Sequence, residues 1–161
     1  IMIGGDDSAA LEHVKPLLAC MGNRLFEVGS LGCGHALKAL NNFVAAAGYA
    51  AAAEALLIGR RFGLDPATML AIMNVSTGRN FITEMVMPEH VIGGKFASGF
   101  SLGLLAKDVL TAAHLAERVR MDAPVLRLVS ERWILARDRL GAQRDNTEAI
   151  LSWDRSLDER A

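Results

Sequence analysis

The sequence has little of what would suit it to nucleic acid, a metal or an oxidising compartment. Its formal net charge is −1, with 17 Lys and Arg against 18 Asp and Glu and no basic block or acidic tail. Nucleic-acid binding draws its affinity from clustered cations, so that partner is excluded as the main one; Arg60-Arg61 is too short a run to restore it. Cysteine occurs only at Cys20 and Cys33, without CxxC or metal-ligand spacing, which points to reduced thiols in a cytoplasmic protein. The histidines, His13, His35, His90 and His114, are scattered, and no metal site is expected. No secretory signal is visible. The longest charge-free stretch of the most apolar segment, 39–53, falls short of the ~20 residues a membrane span needs. Lysine is scarce as well: Lys15, Lys38, Lys95 and Lys107 are all there are. A chain that uses arginine for generic surface charge makes each lysine in an apolar setting informative.

What is present is a chain of 161 residues, 52% of them apolar, enough for a hydrophobic core and for one domain, or one domain and a piece of another. Ile1-Met2-Ile3 followed by Gly4-Gly5-Asp6-Asp7 reads as a strand ending in a turn. Ser8 is placed to cap a helix that Pro16 should interrupt, and 25–28 reads as a second strand. From Leu31 onward the pattern is helical. A long first helix, about 45 Å at 1.5 Å per residue, should run to about Arg61 and end at Gly63. Asp65-Pro66 opens the next, 74–80 is a polar turn, and 81–86 is expected to be helical before Pro88. Ser101 and Pro124 open helices to about Arg118 and Leu140, and a last helix is expected over 146–157. Met69, Met73, Met85 and Met87 are expected in the core, with Trp133 and Trp153 as packing anchors.

Four constellations stand out. Between Leu31 and Ile58 the only formal charges are Lys38 and Glu54, and Lys38 lies one helical turn before Asn42. A lysine desolvated among apolar groups loses basicity, which suits it to proton transfer near neutral pH. The alternative is a lysine that snorkels to water or pairs with a carboxylate, with Asn42 bonding a backbone group. Ahead of it, Gly29-x-x-Gly32-x-Gly34 has the order GxxGxG, not the dinucleotide-binding GxGxxG; it reads as a tight strand-to-helix turn, or as bare backbone leaving room for a ligand near Lys38. Over 97–113 the only charges are Lys107 and Asp108, either a surface pair or a functional one, with Asp108 suited to a supporting role. Ser76-Thr77-Gly78-Arg79-Asn80 reads first as a turn, and Arg79 and Asn80 are candidates for holding a carboxylate or polar tail.

The run Gly29-Ser-Leu-Gly32-Cys-Gly34-His-Ala-Leu-Lys38-Ala-Leu-Asn41-Asn42 closely resembles the GxxGxGxxxKxxNN signature of the β-hydroxyacid dehydrogenases, the family of 3-hydroxyisobutyrate dehydrogenase and tartronate semialdehyde reductase. Gly99-Phe100 followed by Lys107-Asp108 resembles its second helical signature, and 1–5 with Lys15-Pro16-Leu17-Leu18 resembles the end of its Rossmann domain. The resemblance implies a mainly α fold, a C-terminal all-helical domain of the 6-phosphogluconate-dehydrogenase-like type with a long first helix. A remnant of a Rossmann α/β domain over 1–30 would precede this substrate-binding and dimerisation domain over 31–161. It implies Lys38 as the catalytic acid/base, Asn42 as substrate-binding, and Lys107 and Phe100 as cofactor-binding. The cofactor would be NAD or NADP and the substrate a small 3-hydroxy acid or its semialdehyde, turned over by a homodimer or homotetramer. The family's GxGxxG and serine-glycine substrate loop do not occur here. The chain is thus expected to be the C-terminal part of the enzyme, inactive without a nucleotide-binding domain of roughly 100–150 residues.

Two other readings compete with the dehydrogenase one. One is a non-catalytic oligomerisation module built on the same fold, for which desolvated lysines have no use. The other is an imine reductase, a related class whose catalytic position commonly lacks the lysine found here at Lys38.

Overall fold

A computed structural model describes residues 1–154; the ends of the last helix and of the helical domain, expected at 157 and 161, lie outside the described residues. The chain divides into two compact units, Ile1–Asn41 and Asn42–Ala161, and the division falls inside its longest helix.

The first unit is a small parallel βαβ element. Strands β1 (Met2–Ile3) and β2 (Phe26–Glu27) pair in parallel, Met2 opposite Phe26 and Ile3 opposite Glu27, with helix α1 (Ser8–Ala19) as the crossover parallel pairing requires. Asp7, not Ser8, caps α1: its extended backbone lets the carboxylate accept from the Ala9 and Ala10 amides at 2.9 and 3.1 Å. Pro16 does not interrupt α1. It removes one ladder bond, to the exposed residue Glu12, and the helix continues for another turn. Lys15 pairs with both Glu12 and Glu27, joining α1 to β2. A two-stranded sheet has no second layer to cover its side chains, and Leu17, Met21, Phe26 and Leu31 are all exposed.

The turn after β2 is as tight as its glycines suggest. Gly29 and Gly32 sit at φ of 112° and 94°, where a side chain is strained. A Cβ on Gly34 would stand 2.8 Å from the Met2 carbonyl oxygen, and one on Gly4 would collide with the Ser30 carbonyl. Bare backbone is what lets β1 pass the start of helix α2 (Cys33–Phe62).

In the second unit α2 is the wall on which the core is built. Among the described residues it is the one helix long and apolar enough, by length and composition, to cross a membrane. Here Ala46, Tyr49, Ala53 and Leu56 are buried along it, and the Tyr49, Trp133 and Trp153 rings meet at centroid distances of 5.4 to 5.9 Å. Both tryptophans are the anchors expected. Two of the cluster's three polar ends are bonded: Tyr49 donates to the Thr147 carbonyl at 2.6 Å and Trp133 Nε1 to the Ala46 carbonyl at 3.2 Å, whereas the buried Trp153 Nε1 meets no acceptor among the described residues. Gly63, at φ 100°, ends α2. Asp65 caps α3 (Pro66–Asn74), accepting from the Thr68 amide at 2.8 Å with Pro66 in the first turn, as expected.

The segment after the polar turn departs from expectation. It does not stop before Pro88 but runs as a π-helix over Ile82–Ile92. In a π-helix each amide reaches five residues back, so Pro88 leaves the Thr83 carbonyl without its donor. The Asn74 side chain supplies one, at 3.0 Å. Asn80 starts the segment, its Oδ1 accepting from the Ile82 and Thr83 amides at 2.9 and 3.2 Å. Of the four methionines, Met87 is fully buried and Met69 and Met73 partly so; Met85 is 53% exposed, because the π-helix turns it outward. Helices α4 (Leu102–Arg118) and α5 (Pro124–Leu140) follow as expected and pack on each other. The last expected helix is two pieces, a 3-10 turn at Asn146–Glu148 and helix α6 (Ala149–Trp153).

Candidate active site

Helix α4 buries one stripe, Leu105, Asp108, Val109 and Ala112, spaced three and four apart, so Asp108 carries a carboxylate into an otherwise apolar face. A charge in such a place requires partners. Asn42 of α2 donates its Nδ2 to Asp108 Oδ2 at 2.7 Å, and Lys107 places its ammonium 2.8 Å from Oδ1. Lys107 is itself 60% exposed, pointing from the rim of the stripe into water. The pair Lys107-Asp108 is therefore neither wholly surface nor wholly core: one member is outside, the other inside, and Asn42 is tied to the inner one. Asp108 supports Asn42, a role its sequence context suggested without naming the residue supported.

Phe100 lies in the irregular segment before α4 and is half-buried. The segment is held from the connection after α5. Asp145 accepts from the Gly99 amide at 2.9 Å and from the Ser98 hydroxyl at 3.0 Å, and Asn146 donates both its amide and its Nδ2 to the Phe100 carbonyl, at 2.9 and 2.8 Å. Gly99, at φ 80°, makes the bend that presents these groups. Burial acts to raise the Asp145 pKa, but the hydrogen bonds from Thr147, Ser98 and Gly99 outweigh it and hold the carboxyl below its ordinary value. Neither Asp145 nor Asn146 was singled out from sequence. The signal was there in Asp145-x-x-Glu148, a capping box, which fixes a turn without revealing what else the turn binds.

Lys38 belongs to the first unit and stands on the opening turns of α2. The expectation that apolar neighbours bury it is corrected: Lys38 is exposed, as are Leu37 and Leu40 at 43% and 39%, whereas Ala39 alone of these is buried. Flanking residues point around the whole circumference of a helix, so an apolar sequence does not dry the one charged side chain within it. Arg79 is 63% exposed and bonds Glu84 at 2.7 Å, and Asn80 is used in starting the π-helix. A cavity of about 640 Å³ in the second unit lies elsewhere, between Leu56, Leu57, Ile92 and Ile150, where Arg60 and Arg61 both pair with Asp154.

Residues 32–153 match a protein family described as the NAD-binding domain of NADP-dependent 3-hydroxyisobutyrate dehydrogenase. The chain is 31% identical over 155 residues to 2-(hydroxymethyl)glutarate dehydrogenase of Eubacterium barkeri, covering 96% of this chain and 51% of that one. It is 32% identical over 129 residues to 3-hydroxyisobutyrate dehydrogenase of Pseudomonas aeruginosa, covering 76% and 43%. The structure of Mycobacterium tuberculosis 3-hydroxyisobutyrate dehydrogenase with L-serine superposes with a TM-score of 0.82 at 24% identity, over 93% of this chain and 53% of that one, and shares its fold. The chain thus spans about half the length of the relatives it matches.

Proposed function

Because the chain belongs to the family of NAD-binding domains of 3-hydroxyisobutyrate dehydrogenases, we propose that it works as the helical half of an NAD(P)-dependent β-hydroxyacid dehydrogenase. In this reading 31–161 is the substrate-binding and dimerisation domain and 1–30 the tail of a nucleotide-binding one, and turnover needs that nucleotide-binding domain. The substrate is a small 3-hydroxy acid or its semialdehyde, and the enzyme is a cytoplasmic homodimer or homotetramer.

The observation that carries the reading is the Asn42–Asp108–Lys107 cluster, one turn along α2 from Lys38. Oxidising a carbinol carbon requires a base for its hydroxyl proton, and the reverse reaction an acid for the carbonyl oxygen. Lys38 exchanges that proton through Nζ. Asn42, its amide oriented by Asp108, binds the substrate. A nicotinamide cofactor, when bound, supplies or accepts the hydride. The chain's groups fit such a cofactor: Phe100 is only partly buried, so a flat ring could stack on it, and Lys107 carries a 60% exposed ammonium that could meet a phosphate or amide oxygen.

Lys38→Ala in the full-length protein is the test. General acid–base catalysis is worth about 10²–10⁴-fold, and a loss of turnover in that range with an unchanged oligomer is expected. Unchanged turnover refutes the assignment of Lys38. A second reading, the non-catalytic assembly module, is favoured by α2 itself, where Val44 and Ile58 are each 68% exposed and Phe62 85%. It takes the lead if Lys38→Ala and Asn42→Ala both leave activity untouched.

A further inference from the structure

The segment before α4 has no regular structure, yet it is bound more densely than its neighbours. Besides the bonds from Asp145 and Asn146, the Ser98 hydroxyl accepts from Asn146 Nδ2 at 2.8 Å and from the Phe100 amide at 3.3 Å. Leu102 donates its amide to the Arg144 carbonyl at 2.8 Å and Gly103 to that of Ala142 at 2.9 Å. Gly103 is needed there, since a Cβ would lie 2.9 Å from the Ala142 oxygen. Asp145 also accepts from Thr147, so a single carboxylate closes the 3-10 turn and grips the 98–99 backbone. Ordering an irregular segment costs conformational entropy at every residue. The side chain so positioned, Phe100, is not spent on the core but remains half-exposed. A residue pinned through its own carbonyl whose ring is only partly buried is set out for a partner.

We propose that Asp145, Asn146 and Ser98 form a latch that positions Phe100 against the cofactor, making Asp145 and Asn146 positioning residues for the dehydrogenase. This rests on the function proposed above. The latch acts on cofactor binding through the 98–100 backbone and touches no reacting atom. Its two halves are separable: the Ser98 hydroxyl bonds Asp145 and Asn146 across the segments and the Phe100 amide beside it, whereas the Thr147 hydroxyl bonds Asp145 only within the turn.

The test measures steady-state kinetics of the full-length enzyme with the cofactor varied, alongside thermal melts. Ser98→Ala is expected to raise the cofactor KM about five- to tenfold or more, one lost hydrogen bond being worth that much and the hydroxyl bonding Asp145, Asn146 and the Phe100 amide, with kcat little changed. Asp145→Asn should do the same or more. Thr147→Ala is expected to lower Tm while the cofactor KM stays within about twofold. Combining Ser98→Ala with Phe100→Ala should cost no more than Phe100→Ala alone, because the latch acts through that ring. Equal cofactor KM values in Ser98→Ala and wild type, or additive effects of Ser98→Ala and Phe100→Ala, overturn the latch. If Asp145→Asn does not fold, Ser98→Ala decides alone. Loss of turnover in Lys38→Ala beside an unmoved cofactor KM in Ser98→Ala removes the latch and keeps the dehydrogenase. Full turnover in Lys38→Ala removes the reading on which the latch rests.

Discussion

Replacing Asp108 with alanine takes away the acceptor that holds Asn42 and leaves the rim ammonium of Lys107 without its nearest carboxylate. Asp108 is 5% exposed, and Asn42 Nδ2 reaches it at 2.7 Å. A hydrogen bond to a charged group contributes about 1.5–3 kcal/mol. Lys107 is 60% exposed, so water screens its pairing to about 0–1 kcal/mol. Asp108→Ala should therefore cost about 2–3 kcal/mol, or about 4–12 °C in Tm for a chain of this size. Asn42→Ala should cost about 1.5–2 kcal/mol, since it leaves a buried carboxylate with one donor fewer. The two losses are one loss counted from either side. Once Asp108 is gone, Asn42 has no bond to it left to lose, so the double variant should cost clearly less than the two single losses added together, with a coupling of about 1.5 kcal/mol. Urea unfolding at pH 7, followed by circular dichroism for wild type, both single variants and the double, measures this. Additivity to within about 0.5 kcal/mol would refute the claim that Asp108 orients Asn42. Asn42→Asp sharpens the test by facing two carboxylates across that bond. It should destabilise more than Asn42→Ala, and a milder effect would count against the geometry.

Tyr49 is the chain's only tyrosine, and burial pushes its hydroxyl well above the ordinary value of 10.0. A raised folded pKa gives stability that is complete below pH 10 and lost as pH climbs beyond it, so phenolate absorbance, read as wild type minus Tyr49→Phe, should appear only with unfolding in base; smooth titration near pH 10 with the fold intact would contradict the burial. Tyr49→Phe also removes the bond to the Thr147 carbonyl and should cost about 1 kcal/mol, seen as a Tm lower by about 2–4 °C. Asp145, by contrast, is held below its ordinary 3.8. Its contribution is present above that value and lost as pH falls through the folded one, so the Tm gap between wild type and Asp145→Asn should be constant from neutral pH down to about 5 and close below 4; a gap that widens in acid would reverse the sign.

The helix ends were legible because caps act locally. Asp65-Pro66, Ser101, Pro124 and Gly63 each stand within a residue or two of the groups they satisfy, and the structure places helix ends where those residues require them. Pro88 misled for the complementary reason: its effect depends on the Thr83 carbonyl, and the donor that rescues it comes from Asn74, on another helix. Pro16 misled differently, because a missing bond next to water costs too little to end a helix. The site shows the same divide. The signature around Lys38 and Asn42 is contiguous and pointed to the family, as did 99–108. What holds Asn42 in place is 66 residues away in sequence, and what holds Phe100 is 46 away. Nothing in the local pattern distinguishes an asparagine bonded to a buried carboxylate from one bonded to its own backbone. Lys38 marks the limit of this kind of reading. Its sequence context is apolar, but the side chain is exposed, so dryness around its amine is not supplied by its neighbours along α2. If Lys38 is the base, whatever covers it must do so when substrate binds, and the substrate's own carbons become part of the low-dielectric surroundings.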